Sequence, residues 1–119
     1  LPILGPESVV ASKAALAAAK QGKYQEFHNA LMSASAPATS ASVEQTAKTL
    51  GLNFAKLKTD MESPEVAAII SRNQQLAHAL NVEATPTFII GGELVPGALG
   101  EDGFKQLIDK AKQDAAKTP

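Results

Sequence analysis

Large apolar side chains recur along this chain at helical spacing and then, near its end, in one short continuous run. Gly5-Pro6-Glu7-Ser8 marks a helix start, because a first-turn proline lacks a donor that would go unpaired there and a serine hydroxyl can cap. Behind it Val9 and Leu16 lie seven residues apart on one face, with Lys13 and Lys20 on another, which predicts an alanine-rich amphipathic helix ending at Gln21-Gly22. Tyr24, Phe27 and Leu31 fall at i, i+3 and i+7 and predict a second helix from about Lys23. Ser33 to Ser42, rich in Ser, Ala and Thr and containing Pro37, reads as the longest loop. Ser42 stands at capping-box spacing from Gln45, and Val43, Ala47 and Leu50 continue into a short helix stopped by Gly51. Phe54, Leu57 and Met61 repeat the stripe. Ser63-Pro64-Glu65 opens a fifth helix with an inward stripe of Val66, Ile69, Asn73, Leu76 and Leu80, in which Asn73 reads as a buried amide bonded to backbone.

After Asn81 the period changes. Thr87-Phe88-Ile89-Ile90, then Gly91-Gly92, then Glu93-Leu94-Val95 predict a β-hairpin with a permissive two-glycine turn, closed by Pro96-Gly97. A last helix is expected from about Glu101, with Phe104, Leu107, Ile108, Ala111 and Ala115 on one face and fraying through Lys117-Thr118-Pro119. The prediction is thus six helices and one hairpin in a single domain, 1–119. A lone two-stranded hairpin is marginal in water, whereas the apolar run Phe88-Ile89-Ile90 suits a strand covered on both faces. Further strands are therefore expected upstream in an intact protein or in another copy of the chain.

Composition narrows the function classes. Of 119 residues 45% are hydrophobic, but much of this is alanine and only 4% are aromatic, so a single modest core is what the chain can bury. A net charge of -1 offers neither the basic surface that phosphate backbones need nor a polybasic run for an anionic membrane, so nucleic acid is not an expected partner. No stretch approaches the roughly 20 apolar residues of a membrane-spanning helix, so no membrane insertion is expected; nor does the start carry the basic leader and long apolar run of a signal peptide. Cysteine is absent, which removes disulfides, thiolate metal sites and cysteine nucleophiles. His28 and His78 fall on separate predicted helices without close acidic neighbours at ligand spacing and read as solvated or capping residues. Asp60, Glu62, Glu65 and the lysines of the last helix read as solvated faces, and Gly91-Gly92 and Gly97 as turn residues rather than a phosphate loop. No catalytic residue, metal ligand or cofactor site is predicted.

The stretch Val82-Glu83-Ala84-Thr85-Pro86-Thr87-Phe88-Ile89-Ile90-Gly91-Gly92-Glu93-Leu94-Val95-Pro96-Gly97-Ala98 carries more information. A proline directly before an apolar strand cannot extend the ladder at its own nitrogen, so the chain turns there, either through a trans bond at the strand start or through a cis bond. The whole run resembles the cis-proline loop, hairpin and Pro-Gly exit of DsbA-like thiol-disulfide oxidoreductases, which have a thioredoxin fold. Leu1-Pro2-Ile3-Leu4-Gly5-Pro6-Glu7-Ser8 is similar to the segment that leads into that family's helical insertion, and Lys23-Tyr24-Gln25-Glu26-Phe27-His28-Asn29-Ala30-Leu31 is similar to a pattern inside it. The resemblance covers almost the whole chain in consistent order.

It implies an α/β, incomplete thioredoxin-like fold: a helical insertion over 1–81, then a cis-Pro loop, β-hairpin and carboxy-terminal helix over 82–119. It also implies a cis bond between Thr85 and Pro86 and substrate-binding roles for both residues. The family's Cys-X-X-Cys helix would lie upstream of Leu1. Thiol-disulfide exchange requires a thiolate, so the expectation is a fragment, inactive alone, of a periplasmic or otherwise exported protein whose intact form acts on unfolded or cysteine-containing proteins. The alternatives are a non-catalytic thioredoxin-like binding or assembly domain, and the related isomerase branch that uses glutathione. A homodimer, or pairing with a companion amino-terminal fragment through the hairpin Thr87–Val95, is expected in either case.

Overall fold

A computed structural model of the chain describes residues 1–117. In order it contains α1 (Pro6–Ala19), α2 (Tyr24–Ser33), α3 (Ser40–Thr49), α4 (Phe54–Met61), α5 (Pro64–Ala79), β1 (Thr87–Ile90), β2 (Glu93–Pro96) and α6 (Glu101–Ala116). Two compact units result, one from Leu1 to Leu76 and one from Ala77 onward.

The first unit is organised around α1, which packs against α2, α3 and α4. Its buried residues are all alanines: Ala14, Ala15, Ala17 and Ala18. The expected Val9–Leu16 face is only half-buried. Small side chains let helix axes approach to the short end of the usual packing distance of about 8–10 Å, and the volume is then filled from outside. Phe27 of α2, Val43 of α3 and Leu57 of α4 are buried against those alanines. Burial of each such large side chain contributes about 1.5–3 kcal/mol. Tyr24, which shares the predicted stripe with Phe27, is 43% exposed. Polar contacts tie the same elements together at the surface. The Gln21 amide donates to the Asn53 carbonyl at 3.1 Å and accepts from the Asn53 N–H at 2.9 Å. Lys20 pairs with Glu65 at 2.9 Å and Lys13 with Glu62 at 3.2 Å; exposed pairs of this kind contribute little individually.

Two details of the helices differ from the sequence expectation. α3 begins earlier than Ser42: Thr39 is the cap, its hydroxyl accepting the Ser42 N–H at 3.2 Å while the Ser42 hydroxyl accepts the Thr39 N–H at 2.8 Å. A serine two bonds long reaches back across one turn as well as a glutamine would, so the reciprocal box closes one turn before the Ser42–Gln45 spacing. α5 starts as expected, with the Ser63 hydroxyl accepting the Val66 N–H at 3.3 Å. Its predicted inward stripe does not stay inward. Val66 is buried, but Asn73 is exposed, and Leu76 and Leu80 are 57% and 42% exposed. Water rather than backbone therefore serves the Asn73 amide.

The second unit begins where α5 stops. Asn81 adopts φ 58, its N–H donates to the His78 carbonyl at 3.2 Å, and the Val82 N–H reaches back to Ala77 at 2.8 Å. This is a left-handed helix stop in which asparagine takes the place glycine usually holds. β1 and β2 then pair antiparallel, with Phe88 opposite Val95, Ile89 opposite Leu94 and Ile90 opposite Glu93. Gly91 and Gly92 have φ 59 and 82, the left-handed pair that a two-residue hairpin loop requires. α6 lies against β1, and Phe104 meets Phe88 edge to face with centroids 4.6 Å apart. A Cβ on Gly91 would stand 2.6 Å from the Ala111 Cβ, so α6 approaches the turn too closely for any side chain there. Along α6, Phe104, Leu107 and Ala111 are half-buried, whereas Ile108 and Ala115 of the predicted face are exposed. The predicted fraying at Thr118 and Pro119 lies outside the described residues. Side chains alternate across a strand, so Phe88 and the buried Val95 share the α6 side while Ile89 and Leu94 share the other. Those two are 50% and 39% exposed, so among the described residues only one face of the hairpin is covered.

Two stability outcomes follow. Thr39→Ala removes one half of the α3 cap and lowers unfolding free energy by about 1 kcal/mol, read from the urea midpoint; an unchanged midpoint shows the cap to be dispensable. Gly91→Ala and Gly92→Ala each incur the left-handed penalty of roughly 1–2 kcal/mol, but Gly91→Ala also collides with Ala111 and is the more destabilised of the two. Equal midpoints for the two variants rule out the close α6 approach.

Candidate functional site: the loop before the hairpin

The segment between the α5 stop and β1 is short and held at both ends. The Thr87 hydroxyl donates to the Ala84 carbonyl at 2.6 Å, folding the loop over itself. The Gly97 N–H donates to the Pro86 carbonyl at 2.8 Å, anchoring the proline to the end of β2. Between these ties the Thr85–Pro86 peptide is cis. Thr85 and Pro86 are both exposed. Neither the N–H nor the carbonyl of Thr85 has a hydrogen-bond partner among the described residues. An exposed, fixed stretch of backbone with an open donor and an open acceptor is suited to pairing with an extended peptide.

The sequence reading named Thr85 and Pro86, and the structure brings them together in that loop. It did not single out Thr87 and Gly97 as the residues that hold it. The signals were there, a hydroxyl two residues after Thr85 and a glycine ending the second strand, but neither reveals its partner without the turn being folded. No sulfur nucleophile stands nearby, because the chain has no cysteine. Among the described residues no three His, Asp or Glu side chains gather as a metal site. His28 is half-buried and stacks on Tyr24 with centroids 5.9 Å apart, and the His78 carbonyl serves the α5 stop. Among the described residues no helix is long and apolar enough to cross a membrane.

Two solved structures are similar to this chain in overall fold. A thioredoxin-like oxidoreductase from Silicibacter pomeroyi DSS-3 is 42% identical, with a TM-score of 0.86 over 95% of this chain and 65% of its own. The thiol-disulfide exchange protein alpha-DsbA2 from Wolbachia pipientis is 28% identical, with a TM-score of 0.80 over 92% of this chain and 61% of its own. The uncharacterized protein YwbO of Bacillus subtilis (strain 168) is 37% identical over 65 residues, which are 52% of this chain and 32% of that protein. The chain thus spans about a third of that curated relative and under two thirds of either solved structure. The family model for the DSBA-like thioredoxin domain matches residues 2–109. With its helical unit, hairpin and covering helix matched in order over nearly its full length, the chain belongs to the DSBA-like thioredoxin domain family.

Proposed function

We propose that the chain is the helical and substrate-facing part of a longer, exported thiol-disulfide exchange protein, in which Thr85 and Pro86 contact an extended segment of a cysteine-containing protein substrate. The observation that carries this reading is the loop itself: a cis proline tied down by Gly97 beside a Thr85 backbone with both hydrogen-bonding groups open. A substrate strand laid against Thr85 would satisfy those groups and bring its sulfur to a fixed place. The exchange step then needs a thiolate that attacks one substrate sulfur, forms a mixed disulfide and releases the other sulfur as a thiolate. In this reading a Cys-X-X-Cys helix encoded upstream of Leu1 supplies it, since none of the 119 residues can.

A second reading, a non-catalytic binding or assembly domain, draws support from the hairpin. The two-residue loop makes Ile90 and Glu93 a hydrogen-bonded pair, and bonding alternates along an antiparallel ladder. The backbone groups of Thr87 and Ile89 therefore point away from β2, along the free edge of β1. On the opposite edge Pro96 stands where an outward N–H would be, and proline has none to offer. The edge of β1, with Thr87 and Ile89 both outward, therefore offers more to a further strand than that of β2, where only Leu94 keeps an outward N–H, and Ile89 and Leu94 lie bare on the face beside it. In this reading the hairpin Thr87–Val95 pairs with a second copy or with a separate amino-terminal polypeptide.

The purified chain gives no thiol-dependent insulin reduction above a blank without protein; measurable turnover overturns the role assigned to external cysteines. The reading frame upstream of Leu1 separates the two functions, since Cys-X-X-Cys there supports exchange and its absence from the gene rejects it. In sedimentation at micromolar concentration, combined with mass spectrometry, the chain runs as a dimer or with a companion polypeptide; a compact monomer rejects pairing through the β1 edge.

A further inference from the structure

The helical unit contains a cavity of about 240 Å³ that has no part in the loop site. It is lined by Val10 of α1, Ser40 and Val43 of α3, and Phe54, Lys58 and Met61 of α4, with Glu62 just beyond. Val10, Phe54 and Met61 pack against the alanine-centred core without being fully buried, so their outer surfaces form an apolar floor. For scale, an apolar cavity of about 150 Å³ holds a benzene ring. The volume here admits a ring with a short side arm.

The polar groups on the wall are unequally satisfied. Both oxygens of Glu62 are engaged by the Lys13 ammonium, at 3.2 and 3.4 Å, so this exposed carboxylate has its counter-ion in Lys13 rather than in Lys58. Lys58 makes no ion pair and the Ser40 hydroxyl no hydrogen bond among the described residues. The other lysines of this surface, Lys13, Lys20 and Lys56, are each paired with a carboxylate. The charge left over at the cavity is therefore a single cation beside a hydroxyl donor, above an apolar floor.

We propose that this cavity binds a small monocarboxylate with an apolar body, the body against Val10, Val43, Phe54 and Met61 and the carboxylate toward Lys58 and Ser40. A carboxylate accepts from an ammonium or from a hydroxyl, and its charge complements the one cation that the chain leaves unpaired there. A cationic ligand of the same shape is repelled by Lys58, and a neutral one, whose carbonyl can still accept a hydrogen bond, lacks the charge that Lys58 complements. Because the site opens to solvent, the charge contributes selectivity more than affinity.

The probe is 3-phenylpropionate, with 3-phenylpropionamide as its uncharged counterpart, each titrated into isotopically labelled chain and followed by amide chemical shifts. The acid should produce saturable shifts centred on Val43, Phe54 and Met61, and the amide should bind about three-fold more weakly. Lys58→Gln, a change at an exposed position, should remove the difference between acid and amide while leaving the spectrum of the free protein intact. Ser40→Ala should weaken acid and amide alike, since an oxygen of either accepts from the hydroxyl. Equal binding of acid and amide to the unaltered chain, an acid preference that survives Lys58→Gln, shifts centred elsewhere, or no saturation at tens of millimolar each overturns the proposal.

Discussion

Everything in the helical unit depends on how closely α1 can be approached. Four alanines, Ala14, Ala15, Ala17 and Ala18, form its buried surface, and an alanine face offers little volume and little apolar area of its own. It contributes proximity. With the helix axis drawn in, single large residues from three different helices, Phe27, Val43 and Leu57, reach the same small space and exclude water from one another. The arrangement suits a chain with few aromatics, because Phe27 is the only aromatic side chain it fully buries among the described residues. It also makes the unit sensitive to volume: a larger side chain on the inner face of α1 would push three helices out together. The Gln21–Asn53 amide bridge and the Lys13–Glu62 and Lys20–Glu65 pairs follow from that close packing rather than cause it.

The second unit solves a different problem with fewer parts. A two-stranded hairpin has two faces and two edges, and the residues after Leu76 cover one face with α6 and blunt one edge with Pro96. Close contact at Gly91 and Ala111 and the Phe88–Phe104 pair make that cover specific. Ile89 and Leu94 stay exposed on the other face, and the loop that leads into β1 displays an open Thr85 backbone. The same economy therefore leaves two features exposed, a Thr85 backbone without hydrogen-bond partners among the described residues and an apolar surface on the hairpin. The related solved structures are longer chains, of which this one covers 65% and 61%.

Several elements were legible in the amino acids alone because the responsible interactions are local. The hairpin follows from an apolar run, two adjacent glycines and a second short run, and the start of α5 from Ser63, Pro64 and Glu65 in consecutive positions. Thr85 and Pro86 stand out only through the resemblance of the whole run from Val82 to Ala98 to the DsbA-like loop, since a proline before a strand marks a turn and not a role. The α3 start was misplaced by one turn because Thr39 and Ser42 form a cap as effective as the one Ser42 and Gln45 would have made, and periodicity cannot choose between two adequate caps. What the amino acids could not reveal is which of several apolar faces finds a partner. Val9 and Leu16 look more suited to a core than Ala14 or Ala17, and the α5 stripe of Ile69, Leu76 and Leu80 looks as convincing as that of Phe27 and Leu31. Burial is decided by geometry between distant segments, where the smallest side chains permit the closest approach. For the same reason the ties that hold the loop, Gly97 to Pro86 and Thr87 to Ala84, and the unpaired Lys58 beside an apolar floor, exist only once the chain has folded and each group has found, or failed to find, its partner.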